Sequence, residues 1–295
     1  MSEFKDVQGM RPDNLIPIQR AGVKYVRVPV LVSRNSEKFN IVASIDVFVD
    51  IPKSRKGADM SRAIESIYDI INNQTNLESL ELLCHRIGQN ALERFDYSSK
   101  VYIYLTTEIF LSRSSNNGKD SLVSYPITIE YNGNRSGKIF TKMKVELLTM
   151  NACPCAMETT RSILQSKFTE MNSIDGRIPS VTHNQRNRVN VSLTFNNIPN
   201  FELINLIDVV EESLGGSLLS LLKRKDEGDH VLSAHLRPMF VEDIVRHVGN
   251  TVANVFNGLP DEVVLNVTSE SEESIHPHNA YAEINETLGN LRSSK

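Results

Sequence analysis

Met150-Asn151-Ala152-Cys153-Pro154-Cys155-Ala156 sets two of the chain's three cysteines one residue apart across a proline, at the end of an apolar alternating segment. In an extended chain residues i and i+2 project to one side, so Cys153 and Cys155 could face one cavity, with Pro154 stiffening the backbone between them. Thiols this close are poorly placed for an unstrained mutual disulfide, whereas a thiolate joined by histidine and carboxylate from elsewhere suits a divalent transition metal. The plainer alternative is a pair of small buried hydrophobes at a strand end.

Four other places carry groups of the right kind. His183 stands where a loop enters a strand, among Asn184, Gln185, Arg186 and Arg188. Its imidazole would complement a thiolate at a borderline metal, or it is a surface histidine in a polar turn. In Leu221-Leu222-Lys223-Arg224-Lys225-Asp226-Glu227, the basic triplet could contact phosphates while Glu227 supplies a hard oxygen ligand; a solvated helix end is the alternative. Glu242 falls in the first turn of a predicted helix with Arg246 at i+4, which explains it as a helix stabiliser. It could equally accept two N–H donors from a heterocycle. His276-Pro277-His278 follows Glu272 and Glu273 in a polar segment, able to bind metal or move protons, or else part of a mobile tail. Cys84 lies on an apolar helical face and reads as core, and His85, His230, His235 and His247 lack a comparable pattern and read as structural.

The elements that must position these residues follow from periodicity. Lys24–Arg34 and Asn40–Pro52 alternate as two strands, an antiparallel pair joined across Asn35–Phe39. Met60 to Ile71 and Leu80 to Ala91 fit helical faces separated by Gln74–Leu77. Strands are predicted over Val101–Leu111, from Tyr125 to Tyr131 and over Lys138–Thr149, with an Asn-Gly turn signal in Asn132–Gly137. Ser112–Ser121 has the most linker-like composition, which places a domain boundary there and gives domains 1–115 and 122–295. Ala156–Ser180 reads as a helix and then a loop. A strand fits Val189 to Phe195, and a helix fits Leu203 to Leu214, stopping at Gly215-Gly216. Another helix fits Phe240–Phe256, and a last strand fits Val263–Val267 before the polar segment Ser269–Asn279. Each half thus reads strands, two helices, strands.

The 295 residues, 40% of them hydrophobic, suit a soluble globular protein with one large or two modest domains. No apolar run is long enough to span a bilayer, and the N-terminal residues lack the basic-then-apolar plan of a secretory signal, so the reducing cytoplasm is the expected compartment. A formal charge of −4 and the absence of tryptophan argue against nucleic acid as a partner, while a local basic pocket could hold a small phosphorylated ligand.

Cys-Pro-Cys, His-Asn-Gln-Arg, Leu-Leu-Lys-Arg-x-Asp-Glu, Phe-Val-Glu-Asp and Glu-Ser-Ile-His-Pro-His-Asn-Ala-Tyr-Ala occur here in that order. The sequence resembles the type IB and archaeal type IV GTP cyclohydrolases, from Asp6-Val7-Gln8 and Gly22-Val23 to Ala282. The resemblance implies an α+β tunnelling fold of two ββααββ modules, whose antiparallel sheets assemble into a barrel in a homo-oligomer. It implies one divalent metal per subunit on Cys153, His183 and Glu227: ferrous iron, with manganese or zinc acceptable to the same ligands. Cys155 would transfer protons, Glu242 would anchor the guanine of GTP, and His276 would act at the purine carbon under attack. Arg186, Arg188, Lys223 and Arg224 are expected at the triphosphate on grounds of charge. The long connection Ala156–Thr182 is similar to the archaeal type, whose product is 7,8-dihydroneopterin 2′,3′-cyclic phosphate. The alternatives are the type IB product, which keeps the triphosphate, and a metal-independent tunnelling-fold enzyme with a cysteine nucleophile.

Overall fold

The computed structural model describes residues 6–34, 37–73 and 79–294. The first alternating pair forms β1 (Ile18–Arg34) and β2 (Glu37–Ile51), antiparallel with Arg34 opposite Glu37. Asn35 and Ser36 of the expected connection lie outside the described residues, as does the Gln74–Leu77 connection. β1 begins at Ile18 rather than Lys24 because the register shifts between Ile18 and Ala21 and again between Val23 and Val26. Such bulges break the two-residue period on which the sequence reading relied. Tyr25 has a φ of 59° there, and a Cβ on Gly22 would lie 1.8 Å from the Val47 carbonyl oxygen, so glycine permits the close strand approach.

The helices α1 (Met60–Asn72) and α2 (Leu80–Arg94) bury Ala63 and Ile67 and, on the second, Leu83, Cys84, Ile87 and Ala91. Burial pushes the Cys84 thiol well above its ordinary pKa, as suits a core position. β3 (Lys100–Ser114), β4 (Asp120–Asn134) and β5 (Ile139–Ala152) are long strands with alternating burial. The stretch 112–121 closes the β3–β4 hairpin, with Ser115 N–H donating to the Lys119 carbonyl at 2.8 Å and Gly118 at a φ of 70°. Asn134 organises the next turn, its side-chain oxygen accepting from the Ser136 and Lys138 amides, each at 3.0 Å.

Then come α3 (Pro154–Lys167), a 3-10 turn at Thr169–Ser173, β6 (Asn184–Phe195), α4 (Leu203–Leu214), α5 (Arg224–Leu236), α6 (Val241–Val255), β7 (Val264–Glu272), β8 (Ala280–Thr287) and α7 (Leu288–Ser293). Gly215, at a φ of 86°, ends α4 in the left-handed cap that the sequence announced. α5, β8 and α7 were not anticipated. α5 buries only Asp226 and so carries no apolar stripe. β7 continues past Val267 with Ser269 and Ser271 as its inward residues, both 0% exposed, and β8 follows it as an antiparallel partner.

The eight strands succeed one another in the sheet in sequence order, so the class is α+β with an antiparallel sheet. By its contacts the chain forms two compact units: Met1–Ile109 with Pro126–Lys144 and Thr194–Phe201, and Phe110–Tyr125 with Val145–Leu193 and Glu202–Lys295. The core of the first includes Ile45, Val47, Ile67, Leu83, Ile103 and Ile129. In the second, α6 packs on α4, β7 and β8 through Ile244, Val248 and Val252. Every candidate site residue belongs to this second unit.

Candidate active site

β5 ends at Ala152 and Pro154 opens α3, with Cys153 between them as the N-cap residue. Proline suits the first helical position because its missing N–H would have had no partner there. Cys153 keeps an extended backbone, φ −77° and ψ 117°, and its Sγ accepts the Ala156 amide at 3.5 Å. Cys155 already lies in the helix's first turn. The two sulfurs are therefore not successive same-side residues of one strand, as extended geometry led us to expect. Cys153 is half-buried at a strand-to-helix corner, and Cys155 is exposed on the helix.

Backbone pairing brings His183 to this corner. The Cys153 amide donates to the His183 carbonyl at 3.3 Å, the Thr182 hydroxyl donates to the Cys153 carbonyl at 2.8 Å, and the Asn184 amide group reaches the Asn151 carbonyl at 3.5 Å. The long connection between the two motifs returns on itself to make this possible. Thr160 of α3 bonds to the Val181 carbonyl and, at 3.2 Å, to the Ser180 hydroxyl, while Arg161 donates to the Ile178 carbonyl at 2.8 Å. The His183 ring is held from one side: its Nδ1 is 3.2 Å from the Ser274 hydroxyl and 3.9 Å from a Glu273 carboxylate oxygen.

Glu227 stands in the first turn of α5, exposed, beside a buried Asp226. The Asp226 carboxylate accepts the Lys223 amide at 3.1 Å and the Asn117 amide group at 2.6 Å. Burial would raise its pKa, but these hydrogen bonds outweigh burial and hold it below the ordinary value. The pair of acids thus divides into a structural cap, Asp226, and a solvent-facing carboxylate, Glu227. Among the described residues no three His, Cys, Asp or Glu side chains stand together as a metal cage. The structure joins Cys153 to His183 through their backbones and does not gather Glu227 of α5 with both of them. As a donor set, thiolate, imidazole and carboxylate remain chemically suited to a borderline divalent metal.

The basic residues differ in availability. Lys225 pairs with Asp229 at 2.8 Å, while Lys223, Arg224 and Arg186 are exposed and make no ion pair among the described residues. Arg188 is occupied: it bonds to Glu146 and lies 3.5 Å from Glu272, and the Glu146 hydrogen bond raises its pKa further. Glu242 sits exposed in the first turn of α6, but Asp243 takes both stabilising roles, accepting the Phe240 amide at 3.1 Å and facing Arg246 at 3.5 Å. The expected Glu242–Arg246 pairing is thereby corrected, and the Glu242 carboxylate is left facing solvent. His276 stacks on His278, ring centroids 5.1 Å apart, in the loop between β7 and β8 rather than in a tail.

A second constellation escaped the sequence reading altogether. Tyr125 donates to Glu211, Arg113 pairs with Glu211 at 2.7 Å and Asp208 at 2.6 Å, and Ser217 lies 3.2 Å from the Tyr125 hydroxyl. Burial, then the bond to Glu211, pushes the Tyr125 pKa up to about 12. Arg113, Asp208, Glu211 and Ser217 border a cavity of about 450 Å³ that also touches Gly216 and His230 and that none of the predicted site residues lines. Glu273 and Ser274 open the Glu-Ser-Ile-His-Pro-His motif, yet the sequence assigned neither of them a role at His183.

A family model described as Type I GTP cyclohydrolase folE2 matches residues 4–282. A protein named GTP cyclohydrolase MptA from Thermoplasma acidophilum is 40% identical over 292 residues, spanning 99% of this chain and 98% of that one. Its namesake from Methanosarcina barkeri is 32% identical over 306 residues, spanning 98% and 96%. Among solved structures, a uricase from Bacillus fastidious superposes with a TM-score of 0.54 at 10% identity, covering 93% of this chain and 95% of that one. The uricase from Arthrobacter globiformis gives 0.52 at 9%, covering 91% and 93%. The uricase likeness is one of fold alone. The match of the family model along nearly the whole sequence, with relatives this similar over their full lengths, places the chain in the type I GTP cyclohydrolase folE2 family.

Proposed function

We propose that this chain hydrolyses the imidazole ring of GTP, releasing C8 as formate, and closes the opened product to a 7,8-dihydropterin for pterin biosynthesis. The observation that carries the reading is the corner at which Cys153 and His183 are hydrogen-bonded through their backbones, with Cys155 one helical step beyond, in a chain of this family. Cys153, His183 and Glu227 would hold one divalent cation, Fe²⁺ first and Mn²⁺ or Zn²⁺ as alternatives. When bound, that ion supplies the Lewis acidity that makes water nucleophilic near neutral pH.

The remaining roles belong to the chain's own side chains. Glu242, exposed and released from helix-stabilising duty, would accept the two N–H donors of the guanine edge. Cys155 and His276 would carry protons to and from the opening ring, each being exposed, the one in the first turn of α3 and the other in the loop between β7 and β8. Lys223, Arg224 and Arg186 supply uncommitted positive charge for the triphosphate. Arg188, already shared between Glu146 and Glu272, would act there through the alignment of its neighbours.

Cys153, His183 and Glu227 do not stand together as a cage within the described chain, and α5 exposes Val231, Leu232 and Leu236. Both features support a homo-oligomer in which α5 is covered, in keeping with tunnelling-fold modules whose sheets join into a barrel. The connection 156–182 supports the cyclic phosphate as product. Anaerobic incubation of metal-loaded protein with GTP tests the reading by product mass. A dihydroneopterin cyclic monophosphate with free pyrophosphate is expected, a retained triphosphate would move the chain to the type IB outcome, and no pterin with any of the three metals would overturn the reading.

A further inference from the structure

A neutral imidazole has one N–H and one lone pair, and which nitrogen carries which decides where it can bind a metal. His183 Nδ1 is 3.2 Å from the Ser274 hydroxyl and 3.9 Å from Glu273, two groups on the same short loop. Glu273 is itself directed, because the side-chain amide of the buried Gln185 donates to its other oxygen at 3.1 Å. Both side chains of the His183–Glu273 pair are largely shielded, at 13% and 10% exposure, so water competes poorly for their contact. No group among the described residues bonds to Nε2. The Glu273 carboxylate can only accept, so on the Nδ1 side it favours the proton there, which leaves the lone pair on Nε2; the Ser274 hydroxyl, able to donate or accept, then accepts from the same N–H.

We propose that Glu273 and Ser274 are positioning residues that fix the His183 ring as its Nδ1–H tautomer and aim Nε2 at the metal. The inference rests on the reading of His183 as a ligand and extends it in two ways. It gives Gln185 a task, that of orienting the carboxylate which orients the histidine. It also ties the loop bearing His276 to the ligand ring, because Glu273 and Ser274 begin that loop. A shift of Glu273 would then disturb metal binding and the proton carrier together.

The direct test is nitrogen NMR of the metal-free full chain carrying ¹⁵N-labelled histidine. The His183 signals, assigned by their loss in His183→Ala, should show Nδ1 protonated. Glu273→Gln and Ser274→Ala should move the population toward the Nε2–H form, an effect that a merely structural role would not produce. Co²⁺ titration of the same proteins, followed by visible absorption, should show affinity weakened about 10- to 100-fold in Glu273→Gln, the range typical of lost outer-shell partners. Glu273→Asp should recover part of that loss. Ser274→Ala lies at an exposed position and keeps the test open should Glu273→Gln fold poorly. A His183 ring with its proton on Nε2, or Co²⁺ affinity unchanged in both variants while His183→Ala loses the metal, would overturn this inference alone. Unchanged affinity in His183→Ala itself would overturn the ligand reading beneath it.

Discussion

Cys153 and Cys155 differ by a single turn of backbone conformation, and that difference gives them separate chemistries. Cys153 sits at a strand-to-helix corner, its backbone bonded to that of His183 and its sulfur already accepting one N–H, while the Cys155 side chain is open to solvent. Cys153→Ala should therefore abolish stoichiometric metal binding. Cys155→Ala should keep the metal content and lose at least about 100-fold in turnover, as removal of a proton-transferring group does. Elemental analysis beside kcat checks both, and equal metal loss in the two variants would contradict the division. The types and order of these residues were legible in the sequence, but their geometry was not. Pro154 reads as a stiffener within a strand or as the first residue of a helix, and only the end of β5 at Ala152 decides between them. The contact of Glu273 with His183 was invisible for another reason: the two lie far apart in sequence, and contacts of that kind leave no local period.

At the scale of elements, what could be read was what apolar periodicity controls. The helices α1, α2, α4 and α6 and most of the strands announce themselves because Ile, Val and Leu recur on their buried faces. α5 and β8 were missed because packing of that kind does not define them: α5 buries an aspartate, and β7, the partner of β8, turns serines inward. Polar pairing across elements is equally hidden, and Arg113 is the case with the largest consequence. It joins β3 to α4 through Glu211 and Asp208, with Tyr125 of β4 on the same carboxylate. Arg113→Ala would strand a Glu211 that is 8% exposed. Breaking a fully buried pair costs about 3–5 kcal/mol, and partial access of water to Arg113 lowers the expected loss to about 2–3 kcal/mol. Urea denaturation measures it, and a change under about 0.5 kcal/mol would show that the network is not a structural tie.

For the molecule as a whole, three half-buried histidines set how stability responds to acid. His85 in one unit and His230 and His247 in the other have pKa values lowered chiefly by burial, with Arg86 adding to the effect at the first and Arg237 at the last. Unfolding returns each to an ordinary value near 6.5, so the unfolded chain binds more protons below that pH. Their contribution is complete above about pH 6.5 and is lost as pH falls through the lower folded values. Denaturation midpoints should thus drop between pH 7.5 and 5.5, and His230→Gln should shallow that drop; an unchanged slope would assign the pH response elsewhere. No helix among the described residues is long and apolar enough to cross a membrane. The proposed reaction turns on one carbon atom, C8 of GTP. Metal-loaded protein given GTP labelled at C8 under anaerobic conditions should release the label as formate, one equivalent for each dihydropterin formed. Label retained in a purine ring, while GTP is bound or otherwise consumed, would contradict it.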